Sequence, residues 1–459
     1  MARPQDKLAD SLQTLKDLQD KGALAIRSAD LSRTHRERLV KAGFLQEVMK
    51  GWYIPASPQE DRGETTAWYA SFWAFCASYL TERFGDDWCV GPEQSVSLHA
   101  GNRAVPPQLL IRSTKGGNKP TALLHGTSLI DVRLPPPAKA DTTEREGLRV
   151  YRLAKALTEV PAAFFTQKQT DARTVLALFT DASEILAHLL EGGHSVVAGR
   201  LAGAFRNIGR DRIADEIVRT MEAAGYKVRE QDPFEERLPI VLPRRELSPY
   251  AGRIRLMWQE PIIARFPQAP GRPNDTDAYL KRVGDAYVTD AYHSLSIEGY
   301  RVSPALIERV RSGSWNPDID KEDRQHRDAM AARGYYQAFE AVKKSVGAVL
   351  ANENPGVVAD RDHATWYTEL FAPSVSAGLL KPGDLAGYRS SPVYIRRSMH
   401  VPLSPEAVRD AMPVFFEMLE AENDPAVRVV LGHFVFVYIH PYMDGNGRMG
   451  RFLMNLMLA

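Results

Sequence analysis

The twelve residues HPYMDGNGRMGR, His440 to Arg451, constrain this chain more than any other stretch. Pro441 lacks a backbone N–H and pushes the residue before it out of the helical region, so an element ends at His440. Gly445 and Gly447 flank Asn446 and free the backbone for positive φ and for close approach to a ligand. The GRMGRFLMNLML segment that follows has helical character. An element end, a glycine loop and a new helix N-terminus must therefore follow one another within twelve residues.

The same residues imply a chemistry. Successive N–H groups around Gly445, Asn446 and Gly447 can form an anion-binding nest. The helix N-terminus beside it adds unpaired N–H groups and a positive dipole end. Arg448 and Arg451 are three apart and share a helix face. Two guanidiniums on one face suit a polyphosphate, each able to bind bidentately. Asp444 is a hard oxygen ligand placed to hold Mg²⁺ against phosphate oxygens. His440, at an element's end, is by type a general base. The set fits transfer from a nucleotide to a hydroxyl. A glycine loop ahead of an ordinary helix would explain GNG alone, but not the joint pattern.

On these residues the segment resembles the active-site motif of Fic-domain proteins, HPFx[D/E]GNGRxxR, with Tyr442 in place of the usual Phe. The resemblance covers about residues 246–459. It implies an all-helical domain that moves AMP from ATP to a Ser, Thr or Tyr hydroxyl of a target protein, or of the protein itself. It also implies roles. His440 activates the hydroxyl and Asp444 binds Mg²⁺. The 445–447 backbone cradles the α- and β-phosphates, Arg448 holds the β-phosphate and Arg451 the γ-phosphate. The branch of the family that phosphorylates has a changed glycine in this loop. Both glycines are present here, so AMP transfer is expected.

Three further segments bear on that resemblance. GYRSSPVYIRRSMHVP, 387–402, alternates like a short hairpin and resembles the family's flap. Such a flap aligns a target segment by main-chain pairing, here along Pro392, Val393, Tyr394 and Ile395. SLSIEGY, 294–300, resembles the inhibitory motif [S/T]xxxE[G/N]. If it is helical, Ser294 and Glu298 share a face, with Tyr287, Ala291 and Leu295 as the apolar stripe. Glu298 would then pair with Arg451 and occupy the place of the γ-phosphate. VRVVLGHFVFVY, before the motif, reads as a buried strand on propensity. The family requires a buried helix there, and tertiary context routinely overrides propensity, so a helix is expected.

The first half carries other signals. Leu8, Leu12, Leu15 and Leu18 have helical spacing. Ser32 can cap a helix from Arg33 to Ala42 that Gly43 stops. FLQEVMKGWYI, 44–54, reads as a hairpin with Lys50-Gly51 near its turn. Helix, helix, β-ribbon is the order of a winged helix-turn-helix. Arg33, Arg36, Arg38, Lys41 and Lys50 against Glu37 and Glu47 leave an excess of three positive charges over 32–51. That suits contacts to duplex DNA by Arg33, Arg36, Arg38 and Lys50. A solvated helix face with a protein-binding wing is the alternative. Residues 61–190 read as mixed α/β, with a buried helix at WYASFWAFCASYLTERFG and strands at QLLIRS and LIDVRL, and no catalytic constellation. Residues 175–228 read as helices. Arg200, Arg206, Arg210 and Arg212 there form a second basic patch that solvated faces explain as well as nucleic acid does. The stretch 232–249 reads as a linker. The leading helices, KGWYIPASP and WCVGPEQSVSLHAG resemble the AbiEi-type antitoxin and transcriptional-regulator family over about the first 190 residues. That implies DNA binding or autoregulation.

The expected fold is α+β overall: a winged helix-turn-helix at 1–60, a mixed α/β and helical region at 61–245, and an all-α Fic domain with a β-hairpin flap at 246–459. The bulk properties agree. A chain of 459 residues suggests two to four domains, and 44% apolar with 25% charged residues is globular. A net charge of +1 leaves any nucleic-acid role to a local patch. Cys76 and Cys89, the only cysteines, make neither a disulfide framework nor a metal site. The N-terminus has no apolar core of a signal peptide, and no stretch approaches the roughly 20 apolar residues that span a bilayer, so a cytoplasmic protein is expected. Leu453, Met454, Leu456, Met457 and Leu458 are apolar up to Ala459; either the chain continues or another subunit covers them. The expected function is an autoinhibited protein adenylyltransferase using ATP and Mg²⁺, with a regulatory N-terminal half and homo-oligomerisation left open. Two alternatives stand beside it: a DNA-binding regulator with a silent or nucleotide-sensing Fic domain, and an enzyme that removes AMP.

Overall fold

The computed structural model describes residues 4–21, 23–58, 65–234, 248–258, 271, 273–313, 327–385, 387–395 and 398–459. The chain forms two compact units. One is Met1–Arg253 with Tyr394–Pro402; the other is Ile254–Val393 with Leu403–Ala459. The boundary expected at 246 falls outside the described residues.

The first unit begins with α1 (Pro4–Asp20), β1 (Ile26–Arg27), α2 (Arg33–Lys41), β2 (Leu45–Met49) and β3 (Trp52–Pro55). The strands form an antiparallel sheet in the order β1-β3-β2. Ser32 caps α2 by accepting the His35 N–H at 3.2 Å. The β2–β3 ribbon reverses at Lys50-Gly51, where Gly51 takes φ 85°. Leu15, Ile26, Leu31, Leu39 and Leu45 close a small core beneath the two helices.

α3 (Thr66–Phe84) is apolar over most of its surface and largely buried, with Ser78 and Thr81 to Arg83 exposed. It shares its core with β4 (Cys89–Val90), α4 (Pro92–His99), β5 (Gln108–Ser113) and β7 (Ser128–Arg133), and β6 (Pro120–Ala122) completes the sheet. The sheet order is β4-β5-β7-β6, with β5 and β7 parallel. The two expected strand segments are β5 and β7. A separate pair, β8 (Thr142–Arg145) and β9 (Leu148–Tyr151), precedes six helices. These are α5 (Leu153–Glu159), α6 (Ala163–Gln167), α7 (Gln169–Ala177), α8 (Ser183–Gly192), α9 (Ser195–Asn207) and α10 (Asp211–Ala223).

Asp171 on α7 is buried, and a buried carboxylate needs a full set of donors. It has Ser97 at 2.8 Å, Asn102 at 2.9 Å and the Arg253 guanidinium. The second basic patch is likewise used inside the unit. Arg200 donates to the Val160 carbonyl at 3.1 Å and lies over Phe165. Arg206 pairs with Glu230 at 2.6 Å and Asp215 at 2.7 Å. Arg210 reaches the Ala177 carbonyl at 3.4 Å, and Arg212 reaches Glu216 at 3.5 Å.

The chain enters the second unit within α11 (Pro249–Met257). That unit contains α12 (Thr276–Ile297), α13 (Pro304–Arg311), α14 (Arg327–Leu350), α15 (Pro355–Ser376), α16 (Pro405–Ala421), α17 (Pro425–Ile439) and α18 (Asn446–Met457), and no strand among its described residues. α14 and α15 are joined by four residues and run antiparallel. Gly334 lets their backbones meet, since a Cβ there would collide with the Leu370 carbonyl. α17 is helical despite its β-branched content. Val427, Leu431, Val435, Phe436 and Ile439 form its buried face, which is a helical and not an alternating pattern.

The flap expectation needs correction. Among the described residues of 387–402 none lies in a strand, and Pro392, Val393, Tyr394 and Ile395 are irregular. Pro392 has no N–H for a ladder. Side chains hold the segment instead. Within the first unit the Tyr394 hydroxyl donates to the Ala70 carbonyl at 3.3 Å, and Arg103 donates to the Pro402 carbonyl at 3.3 Å.

Candidate active site

α17 ends at His440, whose φ 54° and ψ 62° are left-handed. That conformation is costly for a non-glycine residue and persists only where its surroundings impose it. Its N–H donates to the Phe436 carbonyl at 2.9 Å, and Nδ1 lies 3.2 Å from the Val437 carbonyl. A carbonyl only accepts, so this contact places a hydrogen on Nδ1.

The loop is locked by its asparagine. Asn446 is buried; its Oδ1 accepts the Tyr442 N–H at 2.8 Å, and its Nδ2 donates to the Tyr442 carbonyl at 2.7 Å. The side chain is therefore used inside the loop, and the backbone is what it offers an anion. Tyr442 fills the place of Phe by stacking on Tyr367 at 4.0 Å, its hydroxyl buried without a hydrogen-bond partner. Gly445 has φ 79°, and a Cβ there would sit 2.8 Å from the Phe371 ring, so conformation and space both require glycine. α18 starts immediately after it and carries the two arginines.

Arg448 is 1% exposed. Its guanidinium lies 4.9 Å from the Phe371 centroid and 5.3 Å from that of Tyr300. One nitrogen is 3.3 Å from Asp444 Oδ2, and Nε has no hydrogen-bond partner among the described residues. Arg451 is held by α12. Its Nε donates to Ser294 Oγ at 2.7 Å, and a terminal nitrogen lies 2.8 Å from Glu298 Oε1. Ser294 lies on α12 and Glu298 is its C-cap, so the two expected inhibitory residues reach the same arginine. The Glu298 carboxylate also lies against the loop, for a Cβ on Gly447 would come within 2.5 Å of it.

The donor set fits Mg²⁺ held jointly with phosphate. Among the described residues no three His, Cys, Asp or Glu side chains converge into a protein-only cage. Mg²⁺ characteristically takes one or two carboxylates plus substrate phosphates. Asp444 supplies one such carboxylate, with 64% of its side chain exposed and Oδ1 oriented by the Gly445 N–H at 2.6 Å.

Spacing and motif did not reveal Arg389. It is 1% exposed, its Nε donates to the His440 carbonyl at 2.7 Å, and its backbone N–H donates to Pro441 at 2.9 Å. It also donates to the Leu403 carbonyl, so one guanidinium pins the backbone that presents the histidine. A lone arginine in GYRSSP carries no periodic or motif signal that could have identified it.

The expected DNA contacts divide. Arg33 is exposed and paired with Glu37 at 2.7 Å, and Lys50 is exposed at the ribbon turn. Arg36 donates to the Ser28 carbonyl at 2.9 Å. Arg38 donates to the Lys7 carbonyl at 2.6 Å and to Ser11 at 2.7 Å. Arg36 and Arg38 thus hold their own unit together.

Residues 363–458, which include α16, α17, the glycine loop and α18, match the Fic/DOC family. The chain is 30% identical over 187 residues to the protein adenylyltransferase Fic of Culex quinquefasciatus, covering 40% of this chain and 34% of that protein. It is 30% identical over 190 residues to that of Aedes aegypti, covering 40% and 35%. Against protein adenylyltransferase fic-1 of Caenorhabditis elegans it is 25% identical over 186 residues, covering 39% and 33%. The chain thus spans about a third of the length of these relatives. A solved Fic family protein from Desulfovibrio desulfuricans G20 is 21% identical over 47% of this chain and 59% of its own, at a TM-score of 0.30, too low to carry an argument.

Proposed function

We propose that this protein is an adenylyltransferase that moves AMP from ATP to a protein hydroxyl and rests in an inhibited state. The observation that carries the reading is the pairing of Arg451 with Glu298 at 2.8 Å, beside the loop that follows His440. His440 takes the proton of a Ser, Thr or Tyr hydroxyl. The hydroxyl oxygen forms a bond to the α-phosphorus, and the bond from that phosphorus to the bridging oxygen breaks, releasing pyrophosphate. The backbone N–H groups at the start of α18 hold the phosphates. Arg448 binds the β-phosphate and Arg451 the γ-phosphate once Glu298 leaves it. Bound at Asp444, Mg²⁺ would neutralise charge on the phosphates. Pro392–Ile395 would take the target backbone, and that docking would have to order a segment that is irregular at rest.

The test is transfer from α-labelled ATP by the full chain, in wild type, Glu298→Gly and Glu298→Gly with His440→Ala. Label on protein in the second alone supports the reading. Label in none, with ATP bound in all three, favours a regulator with a silent Fic domain. Loss of label from a modified target in wild type would favour AMP removal.

For the first 60 residues, duplex DNA contact now rests on Arg33 and Lys50, the two expected cations that remain exposed. A salt-dependent shift of DNA fragments that weakens in Arg33→Ala with Lys50→Ala tests it. No described helix is long and apolar enough to cross a membrane; a cytoplasmic location is part of this proposal.

A further inference from the structure

We propose that Tyr300 is a positioning residue for the phosphate-binding arginine Arg448, an inference that rests on the transferase reading above. Arg448 is almost wholly buried, yet among the described residues its only ion pair is a 3.3 Å contact to a largely exposed aspartate. A buried guanidinium so weakly paired needs compensation. Two aromatic rings provide it, Phe371 at 4.9 Å and Tyr300 at 5.3 Å, both within cation–π range. Rings engage the face of a guanidinium, whereas its five N–H donors point outward in its plane. Nε, with no partner among the described residues, is one of those unused donors. The rings therefore fix the plane and leave its edge for a two-point anion.

The rings differ in what holds them. Phe371 belongs to α15. Tyr300 belongs to the turn that closes α12, where Gly299 has φ 81° and the Tyr300 N–H donates to the Leu295 carbonyl at 3.1 Å. A second guanidinium, Arg327, lies 5.1 Å from the same ring. Glu298 and Tyr300 thus sit on one turn and act in opposite senses. Glu298 withholds Arg451 from the nucleotide, while Tyr300 braces Arg448 for it. Removing Glu298 alone frees the γ-phosphate site and keeps the β-phosphate site intact. Displacing the whole turn loses the brace.

The experiment measures nucleotide affinity by calorimetry, with Mg²⁺, on the full chain carrying Glu298→Gly and His440→Ala. Tyr300→Leu in that background should weaken ATP and ADP about tenfold. Tyr300→Phe should stay within about twofold of its parent, because the ring face and not the hydroxyl does the bracing. AMP, which has no β-phosphate, should bind all three alike by competition. Unchanged ATP affinity in Tyr300→Leu would overturn the inference, as would an equal loss for AMP, which would mark general damage to the pocket. A parent that binds none of these nucleotides would overturn the transferase reading itself.

Discussion

At the scale of single residues, the loop shows how tightly a motif is tied to its supports. Asn446 is spent on the two backbone groups of Tyr442, Gly445 on a ring that leaves no room for a Cβ, and His440 on a left-handed turn that Arg389 pins. Arg389→Leu should lower kcat far more than it raises KM for ATP, because it reorients the base without touching the nucleotide. Stopped-assay kinetics in the Glu298→Gly background would show this, and a pure KM effect would contradict it. Tyr442 gives the opposite sign. Its hydroxyl is buried without a partner, and burial pushes its pKa well above the ordinary tyrosine value. Tyr442→Phe removes an uncompensated polar atom and keeps the stack on Tyr367. Denaturant unfolding should find it as stable as its parent or more stable by about 1 kcal/mol. A loss of more than that would reveal a role for the hydroxyl.

At the scale of elements, the end of α12 and the nucleotide compete for one arginine of α18. The Arg451–Glu298 pair is about a quarter exposed on each side, so solvent weakens it, but Ser294 adds a second bond to the same guanidinium. Glu298→Gly should raise AMP transfer on the order of 10- to 100-fold, and adding Arg451→Ala should return it to a low rate, since the γ-phosphate clamp is then gone. Gel autoradiography of both variants checks this. High transfer in the double variant would mean that Arg451 does not hold the nucleotide.

At the scale of the whole molecule, one histidine in each unit, the buried His99 and the half-buried His363, gives stability a pH dependence. Burial lowers the pKa of His99 in the first unit and of His363 in the second, so both stay neutral when folded. The unfolded chain takes up those protons near pH 6.5, ahead of the folded one. Stability should therefore be level above about pH 7 and fall as pH drops through 6.5 toward the lower folded values. Thermal unfolding at pH 7.5 and 5.5 should show the loss, and His99→Gln and His363→Gln should each reduce it; an unchanged loss in both would refute the assignment. Cys76 and Cys89 are buried, and burial raises both thiol pKa values, Cys89 to about 12. A thiol reagent should titrate neither until the protein unfolds.

The sequence by itself determined whatever depends on a few adjacent positions. The Ser32 cap, the Lys50-Gly51 turn, the largely apolar α3 and the Gly-rich entry to α18 follow from side-chain size, φ preference and periodicity within one short window. So does the nature of the candidate site, because His440, Asp444 and both arginines lie within twelve residues. Tertiary structure decided what depends on distant groups meeting. α17 is a helix because its buried face packs against other helices, against its own strand propensity. No strand of the expected hairpin is found among the described residues of 387–402, where Pro392 cannot donate and contacts from far along the chain hold the segment. Arg36 and Arg38, cationic and well spaced for DNA, were claimed by carbonyls of their own unit. Arg389, Phe371 and Tyr300 carry no local pattern. Their roles arise only where the folded backbone brings them to His440 and Arg448, and no spacing rule encodes a contact between residues 51 or 148 positions apart.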